Sequence, residues 1–319
     1  IQLRRSKPLD YKKFIRNRNT REKILRALAF IPDKLMLRIQ YRIKTGRCLH
    51  VENPVRFTEK LQWYKLYYRN NDMVRCVDKY EVREYLCERG FQNILPICYG
   101  VFDNPQQLSV ALLPEQFVIK DTLGSGGNAV ILCTNESRPD WPQIKKITSQ
   151  WCNTPLIRDG GREWPYYSGK KHRILVEEYL QSENGQLTDY KFFCFSGKCA
   201  FVYVCTGRQN GMGVEIHIVS PSYHKLPVNR IGDEPVGELP EKPTLFEEMV
   251  RIAEVLSIPF PHVRVDLYCV QERIRFGELT FFNASGYMLY DPDSFDVEIG
   301  HSFQLPKNTI SKRLGGGTA

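Results

Sequence analysis

At Leu95 the texture of this chain changes, and the change excludes most fold classes. Before it, apolar residues recur at helical spacing. Leu25, Leu28, Ala29, Leu35, Ile39 and Ile43 mark a mildly amphipathic stretch over 23–43, broken at Pro32. The aromatic run 58–69 reads as a second helix, and Asp72 caps a third that ends at Gly90. After Leu95 come short β-type runs over 95–102, 116–121, 128–133, 173–179, 189–196 and 198–205, the last two joined by a Ser196-Gly197 turn. Helices interrupt them near 141–151 and over 243–257. The second has Pro243 at its start and Leu245, Met249, Ile252 and Leu256 on one face. Strands over 263–270 and 273–281 follow, then a loop-like tail. Strands and helices mix without regular βα alternation, so the expected class is α+β.

Composition narrows the function classes. At 319 residues, 42% apolar and 25% charged, the chain has the length for two lobes and the makeup of a globular protein. No apolar run approaches the roughly 18 residues of a membrane span. The basic N-terminus lacks a following apolar stretch, so no secretory signal is expected. The ten cysteines include no CxxC, and the six histidines form no HxxH or HxxxH pair. Zinc is therefore not expected, and Cys133, Cys205 and Cys269 lie in apolar runs as small hydrophobes. Reduced thiols imply a cytoplasmic protein. Charge is divided unevenly: residues 1–50 hold fifteen Lys and Arg against three acids, a net +12, whereas the rest holds 30 against 33, a net −3. A basic arm on a near-neutral body implies an anionic neighbour, either acidic lipid or a polyanionic substrate, unless it is a solvated helix surface. Nucleic acid is not expected, since few aromatics are interleaved for base stacking and no recognition module is present.

Two local patterns carry chemistry. In the first, Phe117-Val-Ile-Lys120 runs into Gly124-Ser-Gly-Gly127. A strand entering a glycine-rich turn lets backbone N–H groups approach phosphate oxygens, and Lys120 adds a point charge. Gly124-x-Gly126-x-x-Ala129 fits a dinucleotide fingerprint in letters only, because that motif must open a helix and 128–133 reads as strand. The glycines then join two strands, either as a plain turn or as a flap over a nucleotide. The second pattern is a hairpin. Alternation sets Val263, Val265 and Leu267 on one face and Arg264, Asp266 and Tyr268 on the other, while Glu278 and Thr280 share a face of the next strand. A turn centred on Gln271-Glu272 puts Asp266 and Glu278 almost opposite one another. Two carboxylates side by side in a sheet call for a cation between them, and oxygen-only ligation suits Mg²⁺ bridging nucleotide phosphates. Arg264, one pleat from Asp266, would face an anionic transition state. The alternative is a hairpin whose polar face is merely solvated.

Taken in order, these residues resemble the ATP-grasp superfamily. Asp78-Lys79 is similar to the first ATP lysine at a helix start, and Phe117–Lys120 with Gly124–Gly127 to the second lysine strand and its glycine loop. Leu175-Val-Glu-Glu-Tyr-Leu180 is similar to the adenine hinge of biotin carboxylase. Arg264-x-Asp266 and Glu278-x-Thr280 resemble the Arg-x-Asp and Glu-x-Asn of D-alanine–D-alanine ligase. Four phrases resemble the TupA-like branch, which is associated with teichuronopeptide, capsule and surface-polysaccharide synthesis. They are Asn53-Pro-x-x-Phe57-x-Glu-Lys-Leu-Gln62, Gly161-Arg-Glu-Trp-Pro-Tyr166, Asp189-Tyr-Lys-Phe-Phe193 and Gly277-Glu-Leu-Thr280. They cover about residues 50–306.

The resemblance implies an ATP-grasp fold of two α+β lobes sandwiching ATP. The expected divisions are a basic helical arm over 1–50, a helical region over 51–110, a small lobe with the glycine flap over 111–180, a large lobe with the metal hairpin over 181–306, and a tail over 307–319. It also implies that ATP phosphorylates a carboxylate and an amine attacks the acyl-phosphate, giving an amide, ADP and phosphate. Lys79 and Lys120 would hold phosphates, covered by Ser125, Gly126 and Gly127. Glu177, Glu178 and Leu180 would meet adenine and ribose, and Asp189 and Lys191 would face the triphosphate. Asp266, Glu278 and Thr280 would hold Mg²⁺, with Asn283 a stand-in for the third ligand. Arg264 would stabilise the tetrahedral oxyanion, and Arg208 would clamp a substrate carboxylate. The substrates implied are an amino acid or amine and an anionic glycan or uronate, met in the cytoplasm or at the inner face of the membrane. Two other classes remain open. A glycosyltransferase would use Asp291-Pro-Asp293 as its metal pair, and a non-catalytic binding module would keep only the fold.

Overall fold

A computed structural model describes residues 8–9, 11–109, 111, 113–124, 129–135, 137–156, 161–181, 187–207, 214–233 and 237–306. Its helices and strands, in chain order, begin with α1 (Tyr11–Phe14), α2 (Arg18–Ala27), α3 (Asp33–Thr45), α4 (Phe57–Tyr67), α5 (Asn71–Cys76) and α6 (Val82–Cys87). There follow β1 (Cys98–Phe102), β2 (Phe117–Asp121), β3 (Val130–Cys133), α7 (Trp141–Cys152) and β4 (Ile174–Glu178). The remainder is β5 (Asp189–Phe195), β6 (Lys198–Thr206), β7 (Glu215–Val219), β8 (Asn229–Arg230), α8 (Phe246–Ser257), β9 (Val263–Val270), β10 (Arg273–Thr280), β11 (Tyr290–Asp291) and α9 (Ser294–Ser302).

Two antiparallel sheets organise the α+β fold. The first has the order β1-β4-β2-β3 and the second β10-β9-β5-β6-β7, with β8 and β11 as a separate pair. The first sheet buries Phe117, Ile119, Ile131, Ile174 and Val176 against Ile144 of α7, a core of its own. It takes β1 from before residue 111, because β4 needs a partner on each side and β1 supplies the outer one.

The second sheet is covered on one face by α8, whose Phe246 packs against Phe192 and Tyr190. The opposite face is divided along the strands. At one end Phe193 and Phe195 pack with Phe57 of α4, His262 and Phe303. At the other end β5 presents Asp189 and Lys191, and β9 presents Arg264 and Asp266. The aromatic end fixes α4 against the sheet, and the charged end holds the candidate site residues.

Several expectations are corrected. The cap after α4 is Asn70, not Asp72: the Asn70 side-chain oxygen accepts from Asp72 N at 2.8 Å. The helix read from there to Gly90 is two helices, because Asp78 turns the chain between them, its Oδ1 accepting from Tyr80 N at 2.8 Å and Glu81 N at 3.0 Å. The tail after 281 is not loop. It contains α9, which docks on α4 through Asp296, accepting from Thr58 N at 3.0 Å and Thr58 Oγ1 at 2.8 Å. The stretch over 23–43 is two helices meeting at Pro32, as its break implied. All ten cysteines are free thiols. Among the described residues, no helix is long and apolar enough to cross a membrane.

Candidate active site

The β9–β10 hairpin depends on a break in its own alternation. From the turn to Phe276, β10 pairs with β9 so that Phe276 faces Leu267; beyond it Glu278 pairs with Asp266 and Thr280 with Arg264. Gly277 is the extra residue of a β-bulge. Continued without it, the register would set Glu278 opposite Val265 on the apolar face, since a one-residue slip exchanges the faces of a strand. The bulge therefore puts the second carboxylate directly opposite the first. Only glycine fits there: a Cβ would lie 2.9 Å from the Tyr268 ring and 3.1 Å from the Asp266 carbonyl.

On the same face, β5 sets Lys191 opposite Asp266. Three strands thus build a ladder of alternating charge. Lys191 Nζ donates to Asp189 Oδ2 at 2.6 Å and contacts Asp266 Oδ2. Arg264 forks onto Asp266, with Nε to Oδ1 at 2.7 Å and Nη2 to Oδ2 at 2.6 Å, and Nη2 also reaches Glu278 Oε1 at 2.8 Å. Thr280 Oγ1 donates to the same oxygen at 3.0 Å. Among the described residues the ladder holds three carboxylates, Asp189, Asp266 and Glu278, and two cations, Lys191 and Arg264. Burial works against Lys191 and Arg264, but Asp189 and Asp266 outweigh it for the lysine, and Asp266 and Glu278 for the arginine; both pKa values are raised. Burial also pushes the Glu278 carboxyl up, yet Arg264, Lys79 and Lys191 bring it down to about 2. For Asp266, burial pushes upward while Arg264 and Lys191 oppose it.

Two lysines lie on or beside the first sheet. Lys120 on β2 contacts Glu177 on β4, diagonal neighbours on one face. Lys79 donates its backbone N–H to Thr122 O at 2.9 Å, and its Nζ contacts the carbonyl of Gly124. Burial lowers its pKa, with Glu278 pulling it up and Lys120 pushing it down. Lys79 thus lies within electrostatic reach of both sheets. Asp78 is buried beneath it, accepting from Arg173 Nη2 at 3.0 Å.

The other candidates fall as follows. Glu178 points to the opposite face of β4 from Glu177: its Oε2 accepts from Ile97 N at 3.1 Å, and its Oε1 lies 3.7 Å from Arg275 Nη2. Leu180 is half-buried just beyond β4. Asn283 Oδ1 accepts from Arg264 Nη1, and its Nδ2 is buried without a hydrogen bond. Ser125, Gly126, Gly127 and Arg208 lie outside the described residues. Asp293 of the alternative Asp-Pro-Asp pair is bound by Arg47 and Arg56, the latter at 2.9 Å.

Sequence reasoning missed the residues that hold the loop after β10. Ala284 and Ser285 have φ of 44° and 52°, and a Cβ on Gly286 would lie 2.4 Å from Gln62 Nε2. Gln62 donates to the Ser285 and Gly286 carbonyls, each at 3.0 Å, and the buried Lys65 donates to Ser285 O at 2.9 Å. The signal was present in Glu59-Lys-Leu-Gln62, which puts polar residues on the buried side of a helix.

The donor set fits Mg²⁺. Mg²⁺ is held in nucleotide sites by one or two carboxylates, with phosphate oxygens and water completing its shell. A carboxylate has about four lone-pair sites. Asp266 uses three of them on Arg264 and Lys191. Glu278 commits only Oε1 and stays 40% exposed.

Lys79, in electrostatic contact with Lys120 on the first sheet and with Glu278 on the second, fits the arrangement that the ATP-grasp resemblance implies. The profile of the TupA-like ATP-grasp family matches residues 59–304, and the chain belongs to that family. No curated protein sequence matches it. Solved structures similar to it include D-alanine–D-alanine ligase from Helicobacter pylori, at 15% identity over 78% of this chain and 68% of that one, TM-score 0.43. The Bacillus anthracis enzyme with ATP is 14% identical over 72% and 66%, TM-score 0.41. An N5-carboxyaminoimidazole ribonucleotide synthetase in its ADP complex is 14% identical over 70% of this chain, TM-score 0.41, and the match spans 50% of that chain.

Proposed function

We propose that this chain is an ADP-forming carboxylate–amine ligase that joins an amino acid or amine to the carboxylate of a uronic acid, working in the cytoplasm on a surface-polysaccharide precursor. One observation carries the chemistry: Lys79, beside the first sheet, lies within electrostatic reach of Glu278 in the carboxylate ladder of the second, where Arg264 is embedded. Lys79 and Lys120 bind and orient the phosphates by charge-assisted hydrogen bonds. Asp266 and Glu278 would hold Mg²⁺, which when bound neutralises charge on the phosphates. Arg264 is locked by Asp266, Glu278 and Asn283, so it is preorganised to hold an oxyanion at the carboxyl carbon under attack. The uronate rests on the TupA-like character of the sequence.

The glycosyltransferase reading is disfavoured because Asp293 is committed to arginines at the start of α9. The test is release of ADP and phosphate across a panel of amino acids, with free and polymeric uronates. One ADP and one phosphate per amide, requiring both carboxylate and amine, is the expected result. Turnover of a sugar nucleotide without ATP consumption would move the assignment to glycosyl transfer.

A further inference from the structure

Phe30 is 80% exposed, and the chain goes to some length to keep it so. It lies in the turn between α2 and α3, and the carbonyls on either side of it are pinned from within the protein. Arg162, a fully buried arginine, donates Nη1 to Ala29 O at 3.3 Å and Ile31 O at 3.1 Å, and Nη2 to Leu28 O at 2.9 Å. Its Nη1 also reaches Asp33 Oδ1 at 3.0 Å, at the first residue of α3. Arg162 itself sits at φ 53°, in the left-handed region that a non-glycine residue rarely adopts. A buried cation on a strained backbone thus holds a rigid turn that displays a phenylalanine to solvent.

The helix that follows, α3, has an exposed face of its own. α3 buries Met36, Leu37, Gln40 and Tyr41 against the body. Its outward stripe is Leu35, Arg38, Ile39 and Arg42, at the spacing that places side chains over one another on a helix. Leu35 and Ile39 are both exposed, as is Phe14 on α1, at 79%. Lys34 and Arg38 share one carboxylate, Glu52, so the pair keeps a net positive charge. All of this lies in the segment whose net charge is +12, on a body of −3.

We infer that this arm docks the protein on an anionic lipid surface, with Phe30, Leu35 and Ile39 entering the headgroup region and the surrounding Lys and Arg pairing with acidic lipid. A second copy of the chain is the wrong partner, because it would bring like charge. A soluble polyanion satisfies the basic residues but gives the exposed aliphatic side chains nothing. A bilayer interface takes both, and stable attachment usually needs two such signals together.

The test is cosedimentation of the full chain with vesicles of phosphatidylcholine alone and of phosphatidylcholine with phosphatidylglycerol. Binding is expected only to the anionic vesicles, and should weaken between about 50 and 500 mM salt, as the screening length shrinks. Phe30→Ser should lower the partition about tenfold, the loss of one partly buried aromatic. Arg38→Ala should lower it about fivefold, the loss of one charge near the surface. Phe30→Trp should show blue-shifted emission on anionic vesicles alone. These variants are exposed and distant from the carboxylate ladder, so unchanged ATP binding reports that the fold is intact. No binding to anionic vesicles overturns the inference. So does binding that a soluble polyuronate matches and that Phe30→Ser leaves unchanged, which would make the arm a glycan surface.

Discussion

Arg264 donates to four oxygens on three residues at once, which decides how it must be tested. Arg264→Ala would leave Asp266 and Glu278 facing each other without their shared cation, a change that costs about 3–5 kcal/mol in buried pairs. Arg264→Lys keeps the charge and loses the fork. The lysine variant should bind ATP with near-native affinity in calorimetry, yet turn over about 10²-fold more slowly or worse. A kcat within about threefold of wild type would remove Arg264 from the oxyanion role. His262 carries a second prediction at this scale. Its Nδ1 donates to Cys194 O at 3.0 Å, its Nε2 is buried without a partner, and its ring lies against Phe195 and Phe57. Burial lowers its pKa from 6.5 to about 3. The folded state thus resists protonation, so its contribution is fully present above pH 6.5 and is lost as the pH falls toward 3. Between pH 6.5 and 5, urea denaturation should show a loss of about 1.5–2 kcal/mol that His262→Phe does not share.

The element on which most depends is β10, and its behaviour was only partly legible. Arg264 with Asp266, and Glu278 with Thr280, could be placed on shared faces because alternation is local. The bulge was also written in the sequence, as a switch of parity: Ile274 and Phe276 are the buried positions before Gly277, and Leu279 the one after it. Residue-number arithmetic came within one position of the true pairing without identifying the glycine that completes it. Gly277→Ala should therefore do more than a surface glycine change. Its Cβ must displace the Tyr268 ring or the Asp266 carbonyl, with a stability loss of about 1–3 kcal/mol and a rise in the Mg²⁺ needed for half-maximal activity. A variant with native stability and native Mg²⁺ dependence would mean that the bulge does not set the carboxylate pair. What stayed illegible acts at long range. Lys65 holds Ser285, Arg162 holds Leu28 to Asp33, and Arg173 holds Asp78, and no local period marks any of them. α9 was missed for a related reason. Its short sequence has a weak apolar face, and its docking is made by Asp296 on Thr58 and by Lys60 donating to Gly300 O at 2.7 Å.

At the scale of the whole molecule, the chain around α6 touches both halves. Lys79 N donates to Thr122 O beside the first sheet, and Tyr85 on α6 donates to Leu256 O at 2.8 Å, at the end of the helix that covers the second. On the proposed function Lys79 would clasp a nucleotide between the two halves, and ligand-linked stability can separate the two sides. Saturating ATP at about 100 times its Kd should add about 2.7 kcal/mol to stability, a shift of several degrees in Tm. Lys120→Met removes the charge of the first sheet and should abolish most of that shift with or without Mg²⁺. Glu278→Gln keeps nearly the same shape on the second sheet and removes one carboxylate charge. It should retain the shift given by metal-free ATP and lose the increment that Mg²⁺ adds. The contrast matters because each half alone offers a weaker explanation: lysines bind any polyphosphate, and paired carboxylates bind any hard cation. Only a site assembled between the sheets predicts that the two losses differ in their metal dependence. If Glu278→Gln responded to Mg²⁺ as wild type does, Glu278 would not be a metal ligand, and Lys79 and Lys120 would account for nucleotide binding alone.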